Sequence, residues 1–298
     1  MSFEQFCINN KIPFKKDEPM KNHTSFKIGG NADYFVECCD ENQLKEVIFK
    51  LKSLEIPYFI LGKGSNLLVS DKGIRGAVLC LDGFNEISVD GDNVIAGAGV
   101  KLARLCTAAL ENSLSGLEFA YGIPGSVGGA LYMNAGAYGG EMSQVVLSAR
   151  VLSENGDIKE IDIGDMCLGY RTSIFKTNGD IILSVKVTLK KDNAAEIKAK
   201  MDDFMCRRKD KQPLEYPSAG STFKRPEGYF AGALIEKNNL KGACVGGAMV
   251  SVKHAGFVIN YKDATASDVK MLMKKIQAVV KENDGVILEP EVIFVGEE

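Results

Sequence analysis

Few residue types in this chain are available for acid–base or nucleophilic chemistry. The 298 residues include only two histidines, His23 and His254, too few for a His-rich metal centre or a Ser-His-Asp triad. Eight cysteines, Cys7, Cys38, Cys39, Cys80, Cys106, Cys167, Cys206 and Cys244, form no CxxC pair. Most have apolar neighbours, which predicts buried, reduced thiols. Proton transfer must then fall to Ser, Tyr, Lys, Glu, Asp or Cys.

Glycine-rich turns are the second signal. GKGSN (62–66), GAG (97–99) and the long run YGIPGSVGGALYMNAGAYGG (121–140) put bare backbone beside apolar residues. Consecutive N–H groups in such turns can cradle a phosphate, and only glycine lets it come close. In 62–66, Ser65 and Asn66 add hydrogen-bonding side chains that no turn requires. In the long run, Ile123, Val127, Leu131 and Met133 can line an apolar slot for a planar ring. A dinucleotide such as FAD needs both kinds of surface. Tight packing without a ligand is the alternative for each turn, and for 97–99 a Rossmann motif is another, since Glu118 follows about twenty residues later. Against the Rossmann reading, Leu102 stands at the third glycine position, and a hairpin rather than a βα unit follows.

These turns sit between predicted elements. Asp40 caps a helix over DENQLKEVIFKLKSLE, with Leu44, Val47, Ile48 and Leu51 on one face and Pro57 as its stop. PYFIL, LLV, GIRGAVLCL, NVIAGAG and DIILSVKVTL read as strands, and VKLARLCTAALENSL reads as a helix. Asn155-Gly156 predicts a type I′ hairpin. AAEIKAKMDDFMCRR is a helix with Ile197, Met201, Phe204 and Met205 on one face. SDVKMLMKKIQAVVKENDG is another, capped by Ser267 and ended near Gly285, followed by a strand over VILEPEVIFVG. The expected organisation is α+β in three parts, 1–82, 83–192 and 193–298.

Composition excludes several functions. A formal net charge of −3 provides no basic field for nucleic acid, although Arg207, Arg208 and Lys209 could hold a phosphate. No apolar run reaches membrane-spanning length, and the first residues carry no signal-type hydrophobic block, so a cytoplasmic protein without membrane insertion is expected.

Six ordered motifs, NHTSFKIGGNADYFVE, LGKGSNLLV, YGIPGSVGGALYMNAGAYG, GYRTSIFK, PSAGSTFKRP and LEPEV, closely resemble the UDP-N-acetylenolpyruvoylglucosamine reductase (MurB) family over nearly the whole chain, from Asn22 to Val295. The resemblance implies a p-cresol methylhydroxylase/vanillyl alcohol oxidase-type FAD-binding fold made of the first two parts, with a C-terminal substrate-binding domain closing over the substrate. It implies non-covalent FAD, NADPH as reducing co-substrate, and reduction of the enolpyruvyl group of UDP-N-acetylglucosamine enolpyruvate to UDP-N-acetylmuramate in peptidoglycan precursor synthesis. Carried over motif by motif, it assigns Arg171, Ser221 and Glu291 to catalysis. Gly62, Lys63, Gly64, Ser65, Asn66 and Leu67, then Gly97, Tyr121, Ile123, Pro124, Gly125, Ser126, Gly128, Gly129 and Ala130, and finally Arg208, would hold FAD. Gln212, Arg225, Glu236, Lys241 and His254 would hold substrate, with Arg225 and Lys241 answering the diphosphate. Arg225 replaces the Asn, and His254 the Gln, of some members. The strand IILSVKVTL runs straight into the helix near Asn193 without a tyrosine-bearing loop, as in the short type II form. As isolated residues, Arg171 reads as a surface or paired residue, Ser221 as a turn residue and Glu291 as a solvated strand end. An oxidase of the same flavin superfamily and a nucleotide-sugar binding module without catalysis are the competing readings.

Overall fold

Local sequence signals decide where most elements begin and end. The computed structural model describes residues 1–298. The chain runs α1 (Phe3–Asn9), β1 (Phe14–Pro19), β2 (Asn31–Glu37), α2 (Glu41–Ser53), β3 (Tyr58–Leu61), β4 (Leu67–Val69) and β5 (Ile74–Cys80). There follow β6 (Ile87–Asp90), β7 (Asn93–Gly97), α3 (Leu102–Glu111), β8 (Leu114–Ser115), α4 (Val127–Tyr132), β9 (Gly136–Ala137), β10 (Gly140–Glu141), β11 (Val146–Leu152), β12 (Ile158–Asp162), β13 (Ile181–Thr188) and β14 (Lys190–Lys191). The last stretch holds α5 (Ala194–Lys211), α6 (Ala231–Lys237), β15 (Cys244–Val245), β16 (Ala248–Val250), β17 (Val258–Asn260), α7 (Ala266–Asp284) and β18 (Ile293–Val295).

These elements form two units. The first comprises Met1–Phe14, Val36–Lys63 and Val78–Arg208, and the second Lys15–Phe35, Gly64–Ala77 and Lys209–Glu298. The chain changes unit at 14/15, 35/36, 63/64, 77/78 and 208/209, so the units are divided differently from the three consecutive parts expected.

In the first unit, β12-β11-β13-β7-β6 form an antiparallel sheet. Alternation sorts its faces: Val94, Ala96, Val185 and Val187 are buried, while Ile95, opposite Lys186, is exposed. Helix α4 lies against β13 and β7. This sheet removes the Rossmann alternative, since β7 pairs antiparallel with both neighbours and a doubly wound sheet is parallel. In the second unit, α7 turns Val269, Leu272, Met273, Ile276 and Val280 onto a core with Leu234 and Ile235 of α6 and Val250 and Val258 of β16 and β17. Strand β18 pairs in parallel with β4. Strands β1, β2, β5 and β3 form a further sheet in that order.

Several expectations need correction. Helix α7 is capped by Thr265, two residues before Ser267: its hydroxyl accepts from Asp268 N–H and Asp268 returns the bond to Thr265 N–H, a capping box that Ser267 cannot make. Asp71 accepts from the Ser267 hydroxyl instead. The 155–156 hairpin forms, but only Gly156 has positive φ (89°) and its N–H donates to Ser153 O at 2.9 Å, whereas type I′ needs positive φ at both central residues. The final strand covers only 293–295, because Pro290 forms a bridge with Phe223 instead. All eight cysteines are free, but Cys39, Cys167, Cys206 and Cys244 are exposed. Burial pushes the thiols of Cys7 and Cys80 up to about 11 and those of Cys38 and Cys106 to about 12, which keeps these four protonated and inert.

Candidate active site

The turn after β3 is shaped by one glycine and left open at its amides. Gly64 has φ +59°, and a Cβ there would lie 2.1 Å from His23 O, so only glycine fits. Lys63 Nζ pairs with Asp82 at 2.7 Å. The N–H groups of Lys63, Gly64 and Ser65 have no acceptor in the protein. Asn66 Nδ2 donates to Glu291 O at 3.1 Å, and Leu67 is buried.

The run from Tyr121 contains a helix that its composition conceals. Gly125–Val127 pairs with Val100–Leu102: Leu102 N–H donates to Gly125 O and Val127 N–H to Val100 O. Ser126 then caps α4 by accepting from Gly129 N–H. Two glycines near a helix start cost roughly 1 kcal/mol each relative to Ala, but Gly128 is required, since a Cβ there would sit 2.8 Å from Ala98 Cβ. The N–H groups of Val127, Gly128 and Gly129 are all satisfied inside the protein. Those of Gly122, Gly125 and Ser126 are not, and these remain available to a ligand. Added Cβ atoms would lie 2.7 Å from Ser126 Oγ at Gly62 and 3.1 Å from Arg208 Cδ at Gly122. The Arg208 guanidinium, in the last turn of α5, is half-buried without an ion-pair partner, and burial lowers its pKa. A cation desolvated in this way fits an anion supplied from outside the chain.

Gly97 and Gly99 are different. Their N–H groups donate to Glu86 O and Phe84 O, and added Cβ atoms would lie 2.3 Å from Phe84 O and 2.1 Å from Leu81 O. The late glycines of the run also serve packing, Gly140 against the Phe119 ring and Gly136 against Gly140 O. Between them Tyr138 stacks on Phe204 at 4.7 Å.

Arg171 lies in a tight turn. Gly169 and Thr172 exchange backbone bonds of 3.2 Å each way, and Arg171 adopts φ +56°, a conformation that costs a non-glycine residue on the order of 1 kcal/mol. Its guanidinium sits 5.4 Å from the Tyr170 ring and donates to Gly136 O at 3.4 Å. Three residues outside the expected set support this turn. Buried Asn134 donates to Gly169 O and accepts from Ser143 N–H. Ser173 Oγ donates to Tyr132 O at 2.7 Å, and Lys176 Nζ donates to Arg171 O at 2.6 Å. Lys176 stands inside the GYRTSIFK motif, and Asn134 is a lone amide among apolar residues; those were the available signals.

In the second unit, backbone pairing joins the segment that follows Ser221 to the one that ends at Glu291. Glu291 N–H donates to Thr222 O at 2.9 Å and Lys224 N–H to Glu289 O at 2.8 Å, around the Phe223–Pro290 bridge. Thr222 is buried and ties this pair to β17 by accepting from Val258 N–H at 2.8 Å. Gly220, at φ +76°, turns the chain into Ser221. Gly256 N–H donates to His254 Nδ1 at 3.1 Å, placing the ring proton of the neutral form on Nε2. Burial lowers the His254 pKa, with a smaller push from Lys241. Lys241 pairs with Glu236 at 2.6 Å. Arg225 lies 3.9 Å above the Phe230 ring and donates to Tyr229 O. Gln212 Oε1 is buried without a hydrogen-bond partner, an arrangement that favours a missing donor.

Residues 32–162 match the FAD binding domain family, and residues 212–295 match the C-terminal domain of UDP-N-acetylenolpyruvoylglucosamine reductase. A protein of that name from Clostridium novyi is 52% identical over 291 residues, 98% of this chain and 95% of the relative. One from Caldanaerobacter subterraneus subsp. tengcongensis is 52% identical over 94% of this chain and 93% of its own length. The crystal structure of UDP-N-acetylenolpyruvylglucosamine reductase (MurB) from Thermus caldophilus superposes with a TM-score of 0.82 at 34% identity, covering 95% of this chain and 98% of that one.

Proposed function

Because this chain belongs to the UDP-N-acetylenolpyruvoylglucosamine reductase family, we propose that it is a flavin-dependent oxidoreductase that uses NADPH to reduce UDP-N-acetylglucosamine enolpyruvate to UDP-N-acetylmuramate. Its fold class is α+β with an FAD-binding part, which this reading takes to be of the p-cresol methylhydroxylase/vanillyl alcohol oxidase type. The observation that carries the reading is the pairing of 222–224 with 289–291, which sets Glu291 opposite Thr222, the residue next to Ser221 in the chain.

The residues present fit FAD. Unengaged amides at Lys63, Gly64 and Ser65, others at Gly122, Gly125 and Ser126, and the desolvated Arg208 are the donors that a dinucleotide diphosphate requires. Gly62, Asn66, Leu67, Gly97, Tyr121, Ile123, Pro124, Gly128, Gly129 and Ala130 complete the proposed cofactor set, with Gly97, Gly128 and Gly129 acting as packing positions that let the neighbouring backbone take its course. When bound, FAD supplies the hydride relay from NADPH to the substrate alkene.

Every other task falls to side chains. Hydride addition to the terminal carbon of an enol ether places negative charge beside the substrate carboxylate. Arg171, planar and permanently charged, offsets that charge from a fixed position. Ser221 delivers the proton to the adjacent carbon, and Glu291 hydrogen-bonds the intermediate or feeds protons to it. Gln212 offers the enolpyruvyl sugar nucleotide a buried acceptor. Arg225 and Lys241 answer its diphosphate, with Glu236 holding Lys241, and His254 supplies a neutral Nε2–H where some relatives use an amide. In this reading 1–82 and 83–192 are FAD-binding subdomains and 193–298 is the substrate-binding part. The protein works in the cytoplasm on small molecules, with no role for nucleic acid; no helix is long and apolar enough to cross a membrane.

The test is anaerobic. NADPH should bleach the flavin of the purified protein, and the enolpyruvyl substrate should restore its colour. Flavin that NADPH does not bleach, or that stays bleached after substrate, would overturn the reading. Oxygen consumption with an alcohol or sugar in the absence of NADPH would favour an oxidase.

A further inference from the structure

We propose that Lys176 is the positioning residue for Arg171, fixing the guanidinium through the backbone rather than meeting substrate itself. The inference rests on the proposed charge-stabilising role of Arg171. Three observations carry it. Arg171 holds φ +56°, so its turn has a competing, less strained conformation that would redirect the side chain. Its carbonyl accepts from Lys176 Nζ at 2.6 Å, a short charge-assisted bond made in this left-handed conformation. The ammonium also lies 5.7 Å from the ring centroid of Tyr132, whose backbone carbonyl accepts from the Ser173 hydroxyl.

Other supports of the turn act on its frame. The Gly169–Thr172 bonds close the ends, and Asn134 grips Gly169 O. The guanidinium itself donates to Gly136 O over 3.4 and 3.5 Å, bonds at the long end of the range. Lys176 thus acts on the peptide that follows Arg171, one of the two that set the direction of its Cα–Cβ bond.

The experiment compares Lys176→Met with Lys176→Arg, using Arg171→Ala as a reference. Removing the ammonium should slow reoxidation of NADPH-reduced enzyme by substrate roughly tenfold or more, since a misplacement of about 1 Å can cost 10²-fold. Flavin reduction by NADPH should stay unchanged, and Lys176→Arg should recover most of the rate. In cofactor-free protein, Lys176→Met should speed hydrogen exchange at the amides of Arg171 and Thr172, with unaltered exchange in α7. If reoxidation is unaffected by Lys176→Met while Arg171→Ala slows it, the inference fails and the role of Arg171 stands. If Arg171→Ala itself has no effect, the role of Arg171 fails. Equal slowing of both half-reactions would overturn the inference by marking a general structural defect. Should Lys176→Met not fold, Lys176→Gln against Lys176→Arg decides by the same two rates.

Discussion

The turn carrying Arg171 and the paired segments carrying Ser221 and Glu291 hold reactive side chains by opposite means. Arg171 occupies a left-handed position in a four-residue turn and is braced by the Lys176 side chain. Glu291 and the segment that follows Ser221 are held by backbone bonds between 222–224 and 289–291, anchored by Thr222 to β17. The first arrangement stores local strain and depends on side chains; the second spreads its support over peptide groups, with one side-chain anchor at Thr222. Stability and activity should therefore respond with different signs in the two places.

The largest expected effect separates them cleanly. Ser221→Ala should slow reoxidation by substrate about 10³-fold, within the range for a lost general acid, with thermal stability and NADPH-driven flavin reduction unchanged. Equal slowing of both half-reactions would remove Ser221 from the proton-donor role. Arg171→Gly should cost reoxidation roughly 10²-fold, comparable to losing one preorganised stabiliser of charge. It should also raise unfolding free energy by about 0.5–1 kcal/mol, because glycine accepts positive φ without strain; a fall in chemical denaturation would contradict the strain assigned here. Thr222→Val should destabilise by about 1–3 kcal/mol by orphaning the buried Val258 N–H. Substrate-driven reoxidation should decline with it, whereas neutral stability would show that the backbone pairing needs no anchor.

The smallest effect concerns pH. His254 titrates below its ordinary 6.5 because it is buried, so the unfolded chain takes up the proton first as pH falls through that value. Stability contributed by the neutral ring is intact above 6.5 and is lost below it. His254→Gln should flatten that acid limb in melting curves; an unchanged limb would assign it to carboxylates.

The glycine-rich segments show how far the sequence could be read. All three predicted glycine turns exist, but residue type cannot reveal where their N–H groups point. At 97–99 the donors are satisfied by Glu86 O, Leu183 O and Phe84 O, and at 127–129 by Val100 O, Ala98 O and Ser126 Oγ, whereas at 63–65 they are open. Clearance for a ligand and clearance for the protein's own backbone look alike in one dimension. Helix α4 was hidden for a related reason: Gly128 and Gly129 are poor helix formers, and the close approach to Ala98 that requires Gly128 involves a residue thirty positions earlier. The sequence alone does not separate Thr265 from Ser267 as the cap of α7, because both are competent and only the reciprocal bond with Asp268 selects between them.

By itself, the sequence determined the α+β class, the faces of α2, α5 and α7, the strands of the main sheet and, through six ordered motifs, the family. Those depend on periodicity and residue type, which are local properties. Only the tertiary structure decided that residues 64–77 join the C-terminal unit, that Thr222 pairs with Glu291, that Gln212 Oε1 is left buried without a donor and that Lys176 closes on the Arg171 carbonyl. Each is fixed by which backbone and side-chain groups remain unsatisfied when distant segments meet, and no short window of sequence contains both partners of a long-range hydrogen bond or the direction of a single carbonyl.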